Sequence, residues 1–184
     1  IAELKICKVD ICVLACTATS FLKGKGWDEA FVREAQQEMG IPVTTTVLSI
    51  LGALAFLKKK SIAMATPWNS EINRRAVQYL ESSGFEVVNL YAEPIDRITV
   101  NDQLPEFAYR LAKKAEDPRA DVLCIFATDL RSIEVIPSLE NVLRKPVISS
   151  NQAILFNVLK FLNYDQPLSG YGSLLERLRQ DTKT

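Results

Sequence analysis

Short apolar and β-branched runs alternate along the chain with longer stretches in which apolar positions recur at helical spacing. The runs over 10–15, 42–46, 61–65, 86–90, 121–126 and 146–149 predict strands. Between them the spacing predicts helices over 27–39, 47–57, 70–83, 104–116, 133–143 and 151–162, with a terminal helix near 172–180. Apolar strands joined by helical crossovers are covered on both faces, which predicts an α/β fold with parallel sheets.

The same pattern occurs twice. Val9-Asp10-Ile11-Cys12-Val13-Leu14-Ala15-Cys16-Thr17 aligns with Ala120-Asp121-Val122-Leu123-Cys124-Ile125-Phe126-Ala127-Thr128 at an offset of 111 residues. Further on, Pro42-Val43-Thr44-Thr45-Thr46 aligns with Pro146-Val147-Ile148-Ser149-Ser150, and Ile50-Leu51 with Ile154-Leu155, at an offset of 104. The Lys23-Gly24-Lys25-Gly26 insertion absorbs the difference. Two such units imply two similar halves about an approximate two-fold axis, with residue 16 opposite residue 127. Ligands of open α/β sheets bind beyond the carboxyl ends of strands, where Cys16-Thr17 and Ala127-Thr128 both fall. A small site between the halves is therefore expected.

At 184 residues the chain is close to one typical domain. Its 22 Lys plus Arg balance 22 Asp plus Glu, and its longest basic run is Lys58-Lys59-Lys60, so there is no electrostatic footprint for nucleic acid. The count that narrows the chemistry most is that of histidine, which is zero. Imidazole-based catalysis and His-ligated metal centres are excluded. The four cysteines, at 7, 12, 16 and 124, form no C-x-x-C pair, which argues against zinc-ribbon and thioredoxin-type sites, and no metal site is expected. Their place in apolar runs suggests a reducing, cytoplasmic setting. No apolar stretch reaches the roughly 18 to 20 residues that span a bilayer, so no membrane partner is expected. The chain opens on Ile1 rather than Met and soon enters the run from Ile11 to Ala15, which suggests that further sequence precedes it.

Cys16 ends a strand and is followed by Thr17-Ala18-Thr19-Ser20, so hydroxyls and backbone N–H groups gather at a strand-to-helix turn. Such a turn holds anions, whether a thiolate or a substrate carboxylate. Cys7, Cys12 and Cys124 lack these flanking hydroxyls and read as structural. Asp129 and Asn151 read first as helix N-caps.

Cys16-Thr-x-x-Ser20, Pro42-Val-Thr-Thr-Thr46, Thr66-Pro67-Trp68 with Asn73, and Pro146-Val-Ile-Ser-Ser-Asn-Gln-Ala153 together resemble the aspartate/glutamate racemase superfamily. Within it the resemblance is to the branch of maleate cis-trans isomerases and arylmalonate decarboxylases, and it covers nearly the whole chain. It implies two pseudo-symmetric Rossmann-like halves with a cofactor-free active site at their interface. Residues 1–57 and 163–184 are then expected to form the first half, whose N-terminal part is expected to be missing, and 58–162 the second.

In that family two cysteines face each other across the substrate carbon. Cys16 matches the first, while the second falls on Ala127. Arylmalonate decarboxylases also keep one cysteine, but at the position matching 127, so the arrangement here is the mirror image. The resemblance also places Thr17, Ser20, Thr128 and Trp68 at the substrate, with Trp68 where relatives carry a tyrosine, and Asn101 near a substrate-contacting asparagine.

The reading is a cofactor-independent, cysteine-dependent isomerase or racemase acting beside the carboxylate of a small acid or diacid. Its alternatives are a single-cysteine decarboxylase of the arylmalonate type and a non-catalytic carboxylate-binding protein. The reading leaves room for a homo-oligomer.

Overall fold

A computed structural model of the chain describes residue 4, residues 7–96 and residues 98–178. Within them six strands appear where the pattern predicts them: β1 (Cys12–Leu14), β2 (Val43–Thr45), β3 (Ser61–Thr66), β4 (Glu86–Ala92), β5 (Val122–Ile125) and β6 (Val147–Ser149). The helices are α1 (Thr17–Lys23), α2 (Trp27–Met39), α3 (Thr46–Phe56), α4 (Ser70–Ser82), α5 (Pro105–Ala115), α6 (Ile136–Leu143), α7 (Ser150–Phe161) and α8 (Ser173–Glu176). Two short 3₁₀ turns lie at Val100–Asp102 and Ile133–Val135. The end of the predicted terminal helix at Gln180, and residues 179–184 of the expected first half, lie outside the described residues.

All strand pairing is parallel, in two sheets: β1-β2, and β4-β3-β5-β6. The repeat is exact in register. Cys12, Val13 and Leu14 pair with Val43, Thr44 and Thr45, while Leu123, Cys124 and Ile125 pair with Val147, Ile148 and Ser149, the same partners under the two offsets. Cys12 N–H donates to the Pro42 carbonyl and Leu123 N–H to that of Pro146, each at 3.0 Å. The following helices start alike: Thr45 Oγ1 accepts from Leu48 N–H and Ser149 Oγ from Gln152 N–H, both at 3.2 Å. A hydroxyl at the N-cap satisfies an amide that the first helical turn leaves unpaired, which is why α3 and α7 begin where the strands end.

Helices α3 and α7 pack against each other at the seam, with the Phe56 and Phe156 rings 4.8 Å apart. Ile50, Ala53 and Leu54 of α3 are fully buried there. Asn157 reaches back from α7 to Thr44 Oγ1 at 3.3 Å and Ser49 Oγ at 3.1 Å, so its amide finds partners in the otherwise apolar contact. In the larger sheet β3 is central, and Ile62, Ala63, Met64 and Ala65 are buried on both faces.

Residues 163–178 lie against the larger sheet's elements. Gln152 Nε2 donates to the Tyr171 carbonyl, and Ser173 N–H and Oγ donate to Glu140 at 2.8 and 2.7 Å. The segment approaches most closely at Gly172, whose φ of +89° suits glycine. A Cβ there would stand 2.5 Å from Ile136 Cγ2 and 2.9 Å from Gln152 Nε2. None of the described helices is long and apolar enough to cross a membrane.

Candidate active site at the seam

Three strand ends converge on one cavity. β1 delivers Cys16 and Thr17, β3 delivers Pro67 and Trp68, and β5 delivers Ala127, Thr128 and Asp129; with Ala18, Thr19, Leu22, Ile72, Ile95 and Val100 they enclose about 130 Å³. The larger sheet dictates part of this. From β3 the chain crosses to β4 on one side and returns to β5 on the other, so the β3 and β5 ends flank a topological switch point where a crevice opens. Cys16 and Ala127, equivalent in the repeat, line the same cavity.

Cys16 is the N-cap residue of α1, in extended conformation, and its own side chain caps nothing. Instead Thr19 Oγ1 donates to Cys16 Sγ at 3.0 Å, which fixes the thiol's direction. Thr19 is the neighbour of the sulfur, whereas the residues expected at the substrate from this turn are Thr17 and Ser20. The signal was the i, i+3 spacing of Cys16 and Thr19, which sets both on one face of the first turn. Helix α1 itself ends early because Gly24 and Gly26 take φ of +88° and +92° in the insertion.

Thr17 is buried, and its hydroxyl lies 3.1 Å from Ser150 Oγ, which also accepts from Ala127 N–H at 3.2 Å. Thr128 Oγ1 donates across the seam to the Ala15 carbonyl at 3.1 Å, so its proton ties the halves together. Asn151 Nδ2 donates to the Thr128 carbonyl, while Ser149, two residues before the expected Asn151, caps α7. Asp129 is not a helix cap: a turn and a 3₁₀ segment follow it, leaving its carboxylate among the cavity-lining residues.

Trp68 lies at the cavity with its ring held edge-on to Phe21 and stacked on Phe126 at 6.3 Å. Asn73 locks the preceding turn, accepting from Thr66 Oγ1 at 2.7 Å and donating to the Trp68 carbonyl at 2.9 Å. Two residues expected at the substrate stand outside. Ser20 is fully buried and donates to Asp28 Oδ1 at 2.6 Å, because the i+4 face of α1 points into the packing with α2 and α4. Asn101 is exposed in the 3₁₀ turn and lines a neighbouring shallow depression with Thr128, Asp129 and Asn151.

The other cysteines differ in setting. Cys124 is fully buried in β5, and burial pushes its thiol pKa up, which keeps it protonated and inert. Cys12 is half-buried in β1 and Cys7 is exposed, away from the cavity-lining set.

Residues 2–175 match the family model described as arylmalonate decarboxylase. The chain belongs to that family. Among curated relatives it is 25% identical over 180 residues to a maleate isomerase of Geobacillus stearothermophilus, with 94% of this chain and 72% of the relative covered. It is 26% identical over 171 residues to the arylmalonate decarboxylase of Bordetella bronchiseptica, with 87% and 68% covered. In fold it resembles a Nocardia farcinica maleate cis-trans isomerase, in which a cysteine was changed to serine and a covalently bound succinylcysteine intermediate is present. That match has a TM-score of 0.91 at 21% identity, over 98% of this chain and 76% of the other. It also resembles a liganded arylmalonate decarboxylase variant with one glycine changed to cysteine and one cysteine to serine, at TM-score 0.89 and 23% identity, over 94% and 75%. These neighbours share the α/β fold with its parallel sheets.

Proposed function

We propose that the chain is a cofactor-independent, cysteine-dependent cis-trans isomerase of small unsaturated acids, with Cys16 as nucleophile. The observation that carries this reading is one cysteine directed by Thr19 into a cavity where two repeat-related strand ends meet. In the reaction the Cys16 thiolate adds to the double bond one carbon removed from the carboxylate. A C–S bond forms, and the π pair moves onto the carboxylate as an enediolate. The former double bond then rotates as a single bond, the pair returns, the C–S bond breaks, and the trans acid leaves with the thiolate restored.

No proton is gained or lost overall, so no acid is required on the far face. That suits a chain with Ala127 where relatives of the two-cysteine kind carry a second thiol, and it favours isomerisation over racemisation. Ala127 N–H donates to Ser150 Oγ, which leaves the Ser150 proton for Thr17 Oγ1 and the Thr17 proton for an enediolate oxygen. A short chain of hydroxyls with an amide behind it is preorganised for developing negative charge. The covalent succinylcysteine in the Nocardia farcinica relative supports an addition step of this kind.

The decarboxylase reading shares the site: loss of carbon dioxide generates the same enediolate, which Cys16 alone protonates. Incubation with maleate, aspartate or an arylmalonate in deuterated water separates the readings. Isomerisation gives a trans product with no deuterium on carbon, whereas racemisation and decarboxylation both place deuterium on the α-carbon. Carbon deuteration without cis-trans conversion contradicts the proposal, and binding without turnover marks a carboxylate-binding protein.

A further inference from the structure

The two copies of the repeat differ in the stretch that follows the cavity. In the first copy Thr17–Lys23 is helix α1, with Cys16 as its N-cap, whereas the equivalent run at the offset of 111, residues 128–134, is a turn leading into the 3₁₀ segment Ile133–Val135. The next helices correspond again: Trp27–Met39 shifted by 104 covers 131–143, and α6 ends at Leu143. The left-handed residues that close them, Gly40 and Arg144, are equivalent as well. The Lys23-Gly24-Lys25-Gly26 insertion therefore makes room for α1 in the half that carries the thiol. Seven residues make less than two turns, too few to hold a helix alone. A bond across the insertion holds this one: Ser20 Oγ donates to Asp28 Oδ1 at 2.6 Å, with both residues fully buried. Under the two offsets residues 20 and 28 fall on Arg131 and Ser132, where Arg131 donates to Glu134 and Ser132 Oγ to the Leu130 carbonyl.

Successive residues of a helix point about 100° apart. With Ser20 held toward Asp28, Thr19 is turned to the side of Cys16, and its hydroxyl donates to Sγ at 3.0 Å. Phe21, next along, enters a ring cluster with Trp68, Tyr79 and Phe126 at 5.9, 5.5 and 5.9 Å. We propose that the buried Ser20–Asp28 pair sets the rotation of α1 and thereby aims the Thr19 hydroxyl at the Cys16 sulfur. Ser20 and Asp28 are then positioning residues for the nucleophile, an assignment that rests on the reading of Cys16 as that nucleophile. A hydroxyl that donates to sulfur favours the thiolate over the thiol, so the pair acts on the share of Cys16 that is reactive at a given pH.

The test is the rate at which iodoacetamide alkylates Cys16 across the pH range in which thiols ionise, followed by peptide mass mapping, with melting temperatures recorded beside it. Ser20→Ala should slow alkylation at neutral pH by about tenfold and move the profile to higher pH, the scale of a hydrogen bond lost from a charged group. Tyr79→Phe removes the likewise buried bond to Asp28 Oδ2 and should leave the profile in place. Thr19→Ala should slow alkylation at least as much as Ser20→Ala, and the two together should do little more than Thr19→Ala alone, because Ser20 acts through Thr19. If Ser20→Ala does not fold, Ser20→Ala combined with Asp28→Asn, which leaves no lone buried carboxylate, carries the same expectation. Ser20→Ala alkylated like the parent, Tyr79→Phe slowed as much as Ser20→Ala, or effects of Thr19→Ala and Ser20→Ala that add, overturns the positioning role and leaves Cys16 standing as the nucleophile. A parent chain whose Cys16 is not alkylated overturns the reading of Cys16 itself.

Discussion

Cys16 and Thr17 could be read from the sequence because they close a strand and open the turn after it, and Trp68 through the family resemblance; the strand ends of the two sheets bring all three to one cavity. Ser20 could not be separated from Thr19 in this way. Both are hydroxyl residues in the same turn, and only the direction in which α1 packs sends one to Cys16 Sγ and the other to Asp28. Ala127 combines two demands. Its φ of +125° is one that L-residues rarely adopt, and it sits at the vacant position of the repeat. Ala127→Gly should therefore stabilise the fold by about 1 kcal/mol, read from the denaturant midpoint, if relief of strain outweighs the added chain entropy. Ala127→Cys restores an acid on the far face. It should raise α-carbon racemisation in deuterated water by on the order of 10² to 10⁴, measured by chiral chromatography, because a proton can then arrive from either side.

At the scale of elements, the strand and crossover-helix pattern was legible because apolar runs and helical spacing are local signals. The short helix α1 was legible only as a helix start after Cys16 and not in its extent, since seven residues between a strand and two glycines carry too few turns for periodicity to register. What holds α1 is a buried cluster: Asp28 Oδ1 accepts from Ser20 Oγ at 2.6 Å and Oδ2 from Tyr79 OH at 2.9 Å. Burial first, and then the adjacent Asp28 carboxylate, pushes the Tyr79 phenol pKa well up, so it remains a donor at all ordinary pH. Asp28→Ala strands both hydroxyls and should cost about 1–3 kcal/mol for each one left unpaired, measured by chemical denaturation. The C-terminal segment depends on Gly172 in a different way. Gly172→Ala drives a methyl group into Ile136 and Gln152, and hydrogen exchange should show faster opening of 163–178 while the β3–β5 amides keep their protection.

Across the whole molecule, the internal repeat is what made the seam visible in advance, because two copies of one α/β unit commonly pack about an approximate two-fold axis, and Cys16 and Ala127 do line one cavity. The cross-seam bonds were not visible: Thr128 to Ala15 and Thr17 to Ser150 depend on how two sheets dock, which no local spacing encodes. Acid stability should carry a signature from the turn joining α5 to β5. There the Arg119 side chain and backbone hydrogen bonds hold the Asp117 carboxyl down to about 2 from its ordinary 3.8. A depressed carboxyl pKa stabilises the fold above its unfolded value and loses that contribution as pH falls from about 4 to about 2. Asp117→Asn should flatten that part of the stability curve, followed by thermal unfolding across the interval. The central claim, that one thiol at the seam does the chemistry, is tested most directly by turnover of the same cis acid by the parent chain and by Cys16→Ser, followed by proton NMR with melting temperatures matched. The account predicts a loss of rate on the order of 10⁴-fold or more with the fold intact; a Cys16→Ser protein that still converts cis to trans at a comparable rate contradicts it.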